Sequence, residues 1–460
     1  MDVRLKFLGG AQSVTGSKYL LEIDDYTLLV DCGLFQGLKE LRLRNWDDLP
    51  HPPQDINAIL LTHAHLDHSG YVPRLVQQGF EGPIYCTEAT ADLLAILWMD
   101  AAKLQEEEAE FAKRKGYSKH ENPLALFGQE DVEQALSRLK PIKFEHKLAL
   151  KDQIHVQFYP SGHILGAASV ELKLKGDSQE KTLLFSGDIG RQNDPLLPPP
   201  QQVQKADIVL MESTYGNRDN ISIDTKEQLA EHILQHIEKG VVLIPAFTIG
   251  RTQNLMILLR ELMENGLLPK VDVFIDSPMA ISVTELYNVY SQLHKLEDKD
   301  IFNYKHFRYV RKNEQSNALQ SLKKKAIIIS ASGMITGGRI LSHLFHRLEN
   351  EDDLLLFVGY QAEGTRGRKI LEREATVKIY GEEKAVKCQL AKIDGLSAHA
   401  DKAELLDWYK ALEESPKYTF IVHGEKEAAF GLKDSLEKEL NANNVFVPDY
   451  LESFELFNGI

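Results

Sequence analysis

Short runs of apolar and β-branched residues open the chain at Val3 to Leu8, Lys18 to Ile23 and Tyr26 to Val30, joined by turns containing glycine or aspartate. Their spacing predicts a β-meander. Ala58 to Thr62 predicts a buried strand, Tyr71 to Gly79 a short helix, Ile84 to Cys86 a strand, and Glu88 to Lys115 a long charged amphipathic helix. Strands return between Lys140 and Tyr159, and again at Ala168 to Leu174, Thr182 to Ser186 and Ile208 to Met211.

From about Asn217 the rhythm changes to alternation. Helices are predicted at Asp224 to Lys239, Arg251 to Asn265, Ala280 to His294 and Arg339 to Leu348. Strands are predicted between them at Val241 to Pro245, Val271 to Ile275, Ala326 to Ser330 and Leu354 to Val358, the signature of an α/β segment with a parallel sheet. The last stretch returns to the first pattern, with strands at Val386 to Ile393 and Tyr418 to Val422, each running into a helix. The expected division is therefore 1–216, an inserted 217–397, and 398–460 completing the first domain.

Composition changes this picture little. The 460 residues suffice for two or three cores, and the apolar and charged fractions are those of a soluble globular protein. No apolar run approaches the ~18 residues of a membrane span, and the N-terminus lacks the layout of a signal peptide. Cys32, Cys86 and Cys388 are scattered, odd in number and form no Cys-x-x-Cys, so they read as buried residues of a reducing compartment. A cytoplasmic location is expected. The net charge of −15 argues against a surface coated for nucleic acid. Within it, residues 301–345 carry Lys305, Arg308, Arg311, Lys312, Lys323, Lys324, Lys325 and Arg339 against the single Glu314. That is either a local basic track or a solvated face.

The chemistry concentrates at predicted strand ends. After Ala58 to Thr62 come His63, His65, Asp67 and His68, four potential ligands within six positions. Such groups are rarely buried together unless paired or ligating. His63 and His65, two apart on a turn, can converge on one cation, while Asp67 and His68 point towards a second; two metals would be expected about 3.5–4 Å apart. A helical metalloprotease motif would instead space its histidines by four. Other strands end in Asp31, Asp188 and Glu212. His163 stands in a loop bounded by Gly162 and Gly166, and His399 and His423 stand at strand-to-helix junctions. Asp31 could form a turn or orient a ligand from behind.

These motifs resemble the metallo-β-lactamase superfamily and, within it, the β-CASP nucleases. Asp31, the string His63-x-His65-x-Asp67-His68, His163 and Asp188 resemble the four motifs of the superfamily. Glu212, His399 within Ser-Ala-His-Ala-Asp and His423 within Val-His-Gly-Glu resemble the three further β-CASP motifs. The likeness runs along essentially the whole chain and is nearest to bacterial and archaeal homologues of the cleavage and polyadenylation specificity factor endonuclease subunit. The N-terminal KH domains of many archaeal members and the C-terminal domain of the RNase J type are expected to be lacking.

The resemblance implies an αββα metallo-β-lactamase sandwich carrying an inserted α/β β-CASP domain. It implies two Zn2+ per chain, Mn2+ or Fe being alternatives, since imidazole and carboxylate without thiolate suit these metals. His63, His65, His163 and Asp188 would hold one, and Asp67, His68, Asp188 and His423 the other, with Asp31 behind them. A metal-bridging hydroxide would hydrolyse single-stranded RNA to 5′-phosphate and 3′-hydroxyl ends, with Asp67, Glu212 and His399 catalytic and His399 protonating the leaving O3′. The inserted domain would roof the cleft. Ser332, Gly333, Gly338, Arg339, Arg366 and Arg368 are candidate phosphate contacts, because Gly-Gly-Arg entering a helix offers backbone N–H groups and a guanidinium. An endonuclease is expected, a 5′→3′ exoribonuclease being the alternative. A glyoxalase-type small-molecule hydrolase and a non-catalytic RNA-binding scaffold are the rivals. The sequence does not decide between a monomer and a homodimer.

Overall fold

The computed structural model describes residues 1–115, 123–177, 179–219, 225–297, 300–393 and 395–460. They form two compact units. The first consists of Met1–Asp194, Pro198–Asp219 and His399–Ile460, and the second of Pro195–Leu197 and Asn220–Ala398.

In the first unit the chain lays down β1 (Val3–Gly9), β2 (Lys18–Ile23), β3 (Tyr26–Val30), β4 (Ala58–Leu60), β5 (Ile84–Thr87) and β6 (Leu139–Ile142). β1 to β3 pair as the expected antiparallel meander, and β3 to β6 continue the sheet in parallel. The parallel half needs crossovers, supplied by the helices Val72–Gln77 and Glu88–Lys115 and by Gln129–Ser137, a helix the sequence pattern did not show. Next come β7 (Leu148–Lys151), β8 (Ile154–Pro160), β9 (Ala168–Lys175), β10 (Glu180–Phe185) and β11 (Ile208–Glu212), which begin the second sheet.

The second unit holds β12 (Val241–Pro245), β13 (Asp272–Asp276), β14 (Phe307–Tyr309), β15 (Ala326–Ser330), β16 (Leu354–Phe357), the hairpin β17 (Thr376–Ile379) and β18 (Glu382–Ala385), and β19 (Gln389–Lys392). Its six-stranded sheet has the order β14-β13-β15-β12-β16-β19 and is parallel throughout. β12, β15 and β16 are buried along their whole length, as runs such as Val-Val-Leu-Ile demand of strands covered on both faces. The predicted helices appear at Thr225–His236, Arg251–Glu264, Pro278–Val289 and Ile340–Arg347. Asp224, the expected start of the first, lies outside the described residues. The helix Pro278–Val289 starts two residues early because the Ser277 hydroxyl accepts from Ala280 N (3.2 Å) and proline fits the first turn. The strand expected from Val386 to Ile393 is shorter: only Gln389–Lys392 (β19) is extended, and it joins the parallel sheet beside β16.

The chain then returns to the first unit with β20 (Tyr418–Val422), β21 (Val445–Phe446) and β22 (Ser453–Phe457). β20 pairs in parallel with β11, and β22 closes the first sheet against β1. The resulting orders are β22-β1-β2-β3-β4-β5-β6 and β21-β20-β11-β10-β9-β8-β7. The inner faces share one core, in which Phe7, Leu21, Val30 and Leu60 meet Phe158, Val170, Phe185, Leu210 and Phe420. Two sheets packed this way, with helices outside, make the αββα sandwich.

Candidate metal centre

Six chain segments of the first unit bring their polar ends together: the exits of β3, β4, β10, β11 and β20 and the loop between β8 and β9. β4 stops at Leu60, and the chain passes through the buried Thr62 and His63 into the single turn Leu66–Ser69 that carries Asp67 and His68. Close backbone approach fixes this turn. A Cβ on Gly33 would sit 1.7 Å from Asp67 O, and Ser17 N donates to that same carbonyl (2.9 Å). Gly190 does the same for His163 and Asp188, since a Cβ there would lie 2.0 Å from Gly162 O. Glycine is required at both crossings.

His65 Nδ1 lies 3.1 Å from His63 Nε2 and 3.2 Å from His163 Nε2. Asp188 Oδ2 is 3.4 Å from each of those two Nε2 atoms. The other oxygen, Oδ1, turns to a second group and lies 3.2 Å from His68 Nε2 and 3.6 Å from His423 Nε2. Asp67 Oδ2 completes that group at 4.0 Å from His423 Nε2. Asp188 thus faces one cluster with each oxygen.

The rings are aimed from behind. Asp31 accepts from Thr62 N (2.8 Å) and Thr62 Oγ1 (2.9 Å), and His68 Nδ1–H donates to its Oδ2 (2.7 Å). With its proton given to Asp31, Thr62 Oγ1 accepts from His63 Nδ1–H (3.0 Å). Ser17 Oγ stands 2.8 Å from His423 Nδ1. These contacts keep a proton on the outward nitrogens, so that Nε2 of His63, and of His68 once its second proton is displaced, turns a lone pair inward. Asp31 and His423 adopt left-handed backbone conformations (φ 58° and 48°). Such strain persists only where surrounding contacts over-determine it.

Burial pushes the imidazoles of His63, His65 and His423 below their ordinary range. Burial opposes charge on His68 too, yet Asp188 and Asp31 hold its pKa well above the usual value. For Asp188 burial acts upward, and the four histidines around it overcome this and drive its carboxyl well below the carboxylate range. His399 is raised to about 9, because Glu212 and Asp188 outweigh its burial. Its Nδ1–H donates to Glu212 Oε1 (3.0 Å), and the same oxygen accepts from Ile189 N (2.8 Å).

The donor set fits metal. The nitrogens of His63, His65 and His163 and a carboxylate oxygen crowd around one point, where a single shared proton cannot satisfy them. In the second group, His68 Nε2 and Asp188 Oδ1 are buried without a hydrogen bond. A tetrahedral zinc bound at about 2.0–2.1 Å spaces its ligand atoms about 3.3–3.4 Å apart, against the observed 3.1, 3.2, 3.4 and 3.4 Å.

Residues 20–207 match the metallo-beta-lactamase superfamily domain, residues 252–370 the Beta-Casp domain and residues 383–448 the Zn-dependent metallo-hydrolase RNA specificity domain. Ribonuclease TTHA0252 of Thermus thermophilus is 36% identical over 442 residues, covering 94% of this chain and 95% of that protein. The chain is a β-CASP member of the metallo-β-lactamase superfamily. Among other β-CASP relatives, an RNase J-like protein of Methanocaldococcus jannaschii is 30% identical, over 97% of this chain and 98% of its own. Transcription termination factor FttA of the same organism is 29% identical, over 99% of this chain and 72% of its own. A crystal structure of a protein of unknown function from Enterococcus faecalis V583 shares the fold, with TM-score 0.56 at 13% identity, covering 99% of this chain and all of that one.

Of the residues expected at the site, His63, His65, Asp67, His68, His163, Asp188, Glu212, His399, His423 and Asp31 come together in the first unit. The candidate phosphate contacts lie in the β-CASP unit. Ser332 Oγ accepts from Thr336 N (2.9 Å) within its own loop, and a Cβ on Gly333 would meet Phe247. Gly338 takes a positive φ. Arg339 donates to the fully buried Asp276 (2.7 Å), to Val310 O, to Arg311 O and to Asn313. Arg366 binds Lys378 O and Ile335 O, and Arg368 pairs with Glu372 (2.6 Å). The basic track is similarly engaged, with Arg308 on Asp272, Arg311 on Glu285 and Lys325 on Glu238. Thr62 and Ser17 were not singled out from sequence. Thr62 directly precedes His63, which is a usable signal; nothing local marks Ser17.

Proposed function

We propose that the protein is a metal-dependent ribonuclease that cleaves single-stranded RNA internally, leaving 5′-phosphate and 3′-hydroxyl ends. The observation that carries this reading is Asp188 presenting one oxygen to the His63–His65–His163 cluster and the other to the His68–His423–Asp67 cluster, beside a protonated His399. The names of the relatives, a ribonuclease, an RNase J-like protein and a transcription termination factor, support RNA as the polymer.

His63, His65, His163 and Asp188 would hold one divalent metal, and Asp67, His68, Asp188 and His423 a second, zinc being favoured by the nitrogen and oxygen donors. Bound there, the ions would supply charge stabilisation for the phosphate and a lowered pKa for the attacking water. Asp31, Thr62 and Ser17 hold the imidazoles in the tautomer that turns lone pairs inward. Water gives one proton to the Asp67 carboxylate as its oxygen adds to phosphorus, the P–O3′ bond breaks, and the departing O3′ takes the proton of His399. With its pKa near 9, His399 is protonated at neutral pH, and Glu212 stabilises that charge. In the second unit we propose Ser332, Gly333, Gly338, Arg339, Arg366 and Arg368 as the phosphate-contacting region, with the exposed Arg368 as its most direct probe.

The test is cleavage of 5′-labelled single-stranded RNA with added zinc or manganese, beside His163→Ala and His399→Ala proteins of verified fold. Internal fragments lost in both variants are expected. Mononucleotide release would replace the endonuclease with a 5′→3′ exonuclease. Metal-loaded protein that leaves RNA intact while hydrolysing a thioester would end the ribonuclease reading.

A further inference from the structure

His399 is the first residue of the first unit after the chain returns from the second. Its ring is aimed by Glu212, but its backbone needs its own anchor. Four ties supply it. Ala400 N donates to Ile189 O (2.8 Å), Lys402 N donates to Arg218 O (2.9 Å), and Lys402 Nζ lies 3.7 Å from Asp219 Oδ2. The fourth tie is a single carboxylate. Glu404 Oε1 accepts from Gln192 N (3.1 Å), while Oε2 accepts from Asp401 N (3.0 Å) and sits 2.5 Å from Arg191 Nε. Asp401 Oδ1 in turn accepts from Glu404 N (3.0 Å), and its Oδ2 lies 3.6 Å from Arg191 Nη2.

The sequence Asp401-Lys402-Ala403-Glu404 is a reciprocal helix cap, and such caps ordinarily stabilise only their own helix. Here the cap glutamate reaches further. It joins the helix Lys402–Lys410 to segment 189–192, which directly follows Asp188. Together with the Ala400–Ile189 bond, this side chain thus holds the spacing between Asp188 and His399. Arg191 and Glu404 are mostly buried (side chains 20% and 14% exposed), so salt screens the pair weakly. Without Glu404, two backbone N–H groups lose their acceptor and the Arg191 guanidinium loses its nearest ion-pair partner.

We propose that Glu404 and Arg191 are positioning residues that hold His399 at the metal site through the segment 399–404. Neither touches the metal-ligand cluster, and they act on the proton-transfer step alone. This rests on the reading of His399 as the proton donor to the leaving group.

The experiment is a double-mutant cycle on the metal-loaded full chain, with amide hydrogen exchange as a readout independent of turnover. Glu404→Ala is expected to lower kcat for RNA cleavage by about 10–100-fold, the scale of a misplaced catalytic group. KM and bound metal should match the wild type. Placed in a His399→Ala background, the same substitution is expected to cost nothing more. Arg191→Lys should retain more activity than Arg191→Ala. Amides of Ala400 to Glu404 should exchange faster in Glu404→Ala, while those of β20 keep their protection. An equal loss in both backgrounds, a loss of metal, or an unchanged kcat overturns the proposal. If the wild type does not cleave RNA, the ribonuclease reading fails by itself. The clamp is then judged by exchange alone, and unaltered protection at Ala400 and Lys402 overturns it.

Discussion

Asp31 Oδ2 accepts a hydrogen bond from His68 Nδ1 at 2.7 Å, and through this contact a residue outside both ligand clusters decides which nitrogen of His68 faces Asp188. Asp31→Asn keeps the shape and removes the charge that favours this tautomer. Metal affinity is expected to fall about 10–100-fold, the usual effect of losing such a partner. Competition with a chelator of known affinity measures it, and an unchanged affinity would refute the role.

The two clusters share only Asp188. His163→Ala and His423→Ala should therefore each lose one metal equivalent after dialysis, as read by elemental analysis, while Asp188→Ala loses both. Full metal content in either histidine variant would dissolve the two-cluster description.

Glu212 and Asp188 raise His399 to about 9 against the effect of burial. Glu212→Gln removes a negative charge, so the pKa must move down. The alkaline limb of the kcat profile, where His399 gives up its proton, should shift to lower pH by more than half a unit (on the order of one, the usual size of a single-charge effect). A limb that stays in place would exclude His399 as the acid.

Lys18 is buried with its ammonium against Gly33 O and the rings of Phe35 and Tyr71, and burial lowers its pKa to about 8. The folded state therefore binds fewer protons than the unfolded state between pH 8 and the ordinary value of 10.5. Stability contributed at this position rises with pH across that window, and below it the buried charge is a constant penalty. Lys18→Met is expected to raise stability at pH 7 by up to about 3 kcal/mol, with the gain shrinking towards pH 10.5. Urea titrations at three pH values check this, and a gain that grows with pH would contradict it.

Arg339 donates to Asp276, whose side chain is fully buried and also binds His343 Nε2 (2.6 Å) and Ser316 Oγ (2.5 Å). Arg339→Met should destabilise the protein by about 3–5 kcal/mol, as when a buried ion pair loses one partner. Arg368→Met, at an exposed pair, should leave stability within about 0.5 kcal/mol. RNA affinity at low salt then separates the two. A loss in Arg368→Met alone supports phosphate contact there, and no loss in either removes both from that role.

Much of this was legible in the chain because its buried strands end abruptly in polar residues. Asp31, His63, Asp188 and Glu212 each follow an apolar run, and strand ends on one rim must meet when the sheets pack. Long-range partners were not legible. Arg339 looks like a phosphate contact from Gly-Gly-Arg; its engagement with Asp276 depends on a residue 63 positions away. Ser17 supports His423 across 406 positions. β21 and β22 are short edge strands whose apolar residues carry little periodic signal. The hold of Glu404 on Gln192, 212 positions away, was not legible either.

The chain order of the first unit also sets a sequence of events in time. A nascent chain that has reached residue 398 already contains His63, His65, His163 and Asp188, yet it holds neither His399 nor His423 and has no β20 to flank β11. The second unit, made in between, carries a parallel sheet of its own, whereas the first still lacks β20, β21 and β22. On the proposed ligand set, a polypeptide that stops before His423 therefore has the His63–His65–His163 cluster complete while the second cluster still lacks one of its imidazoles.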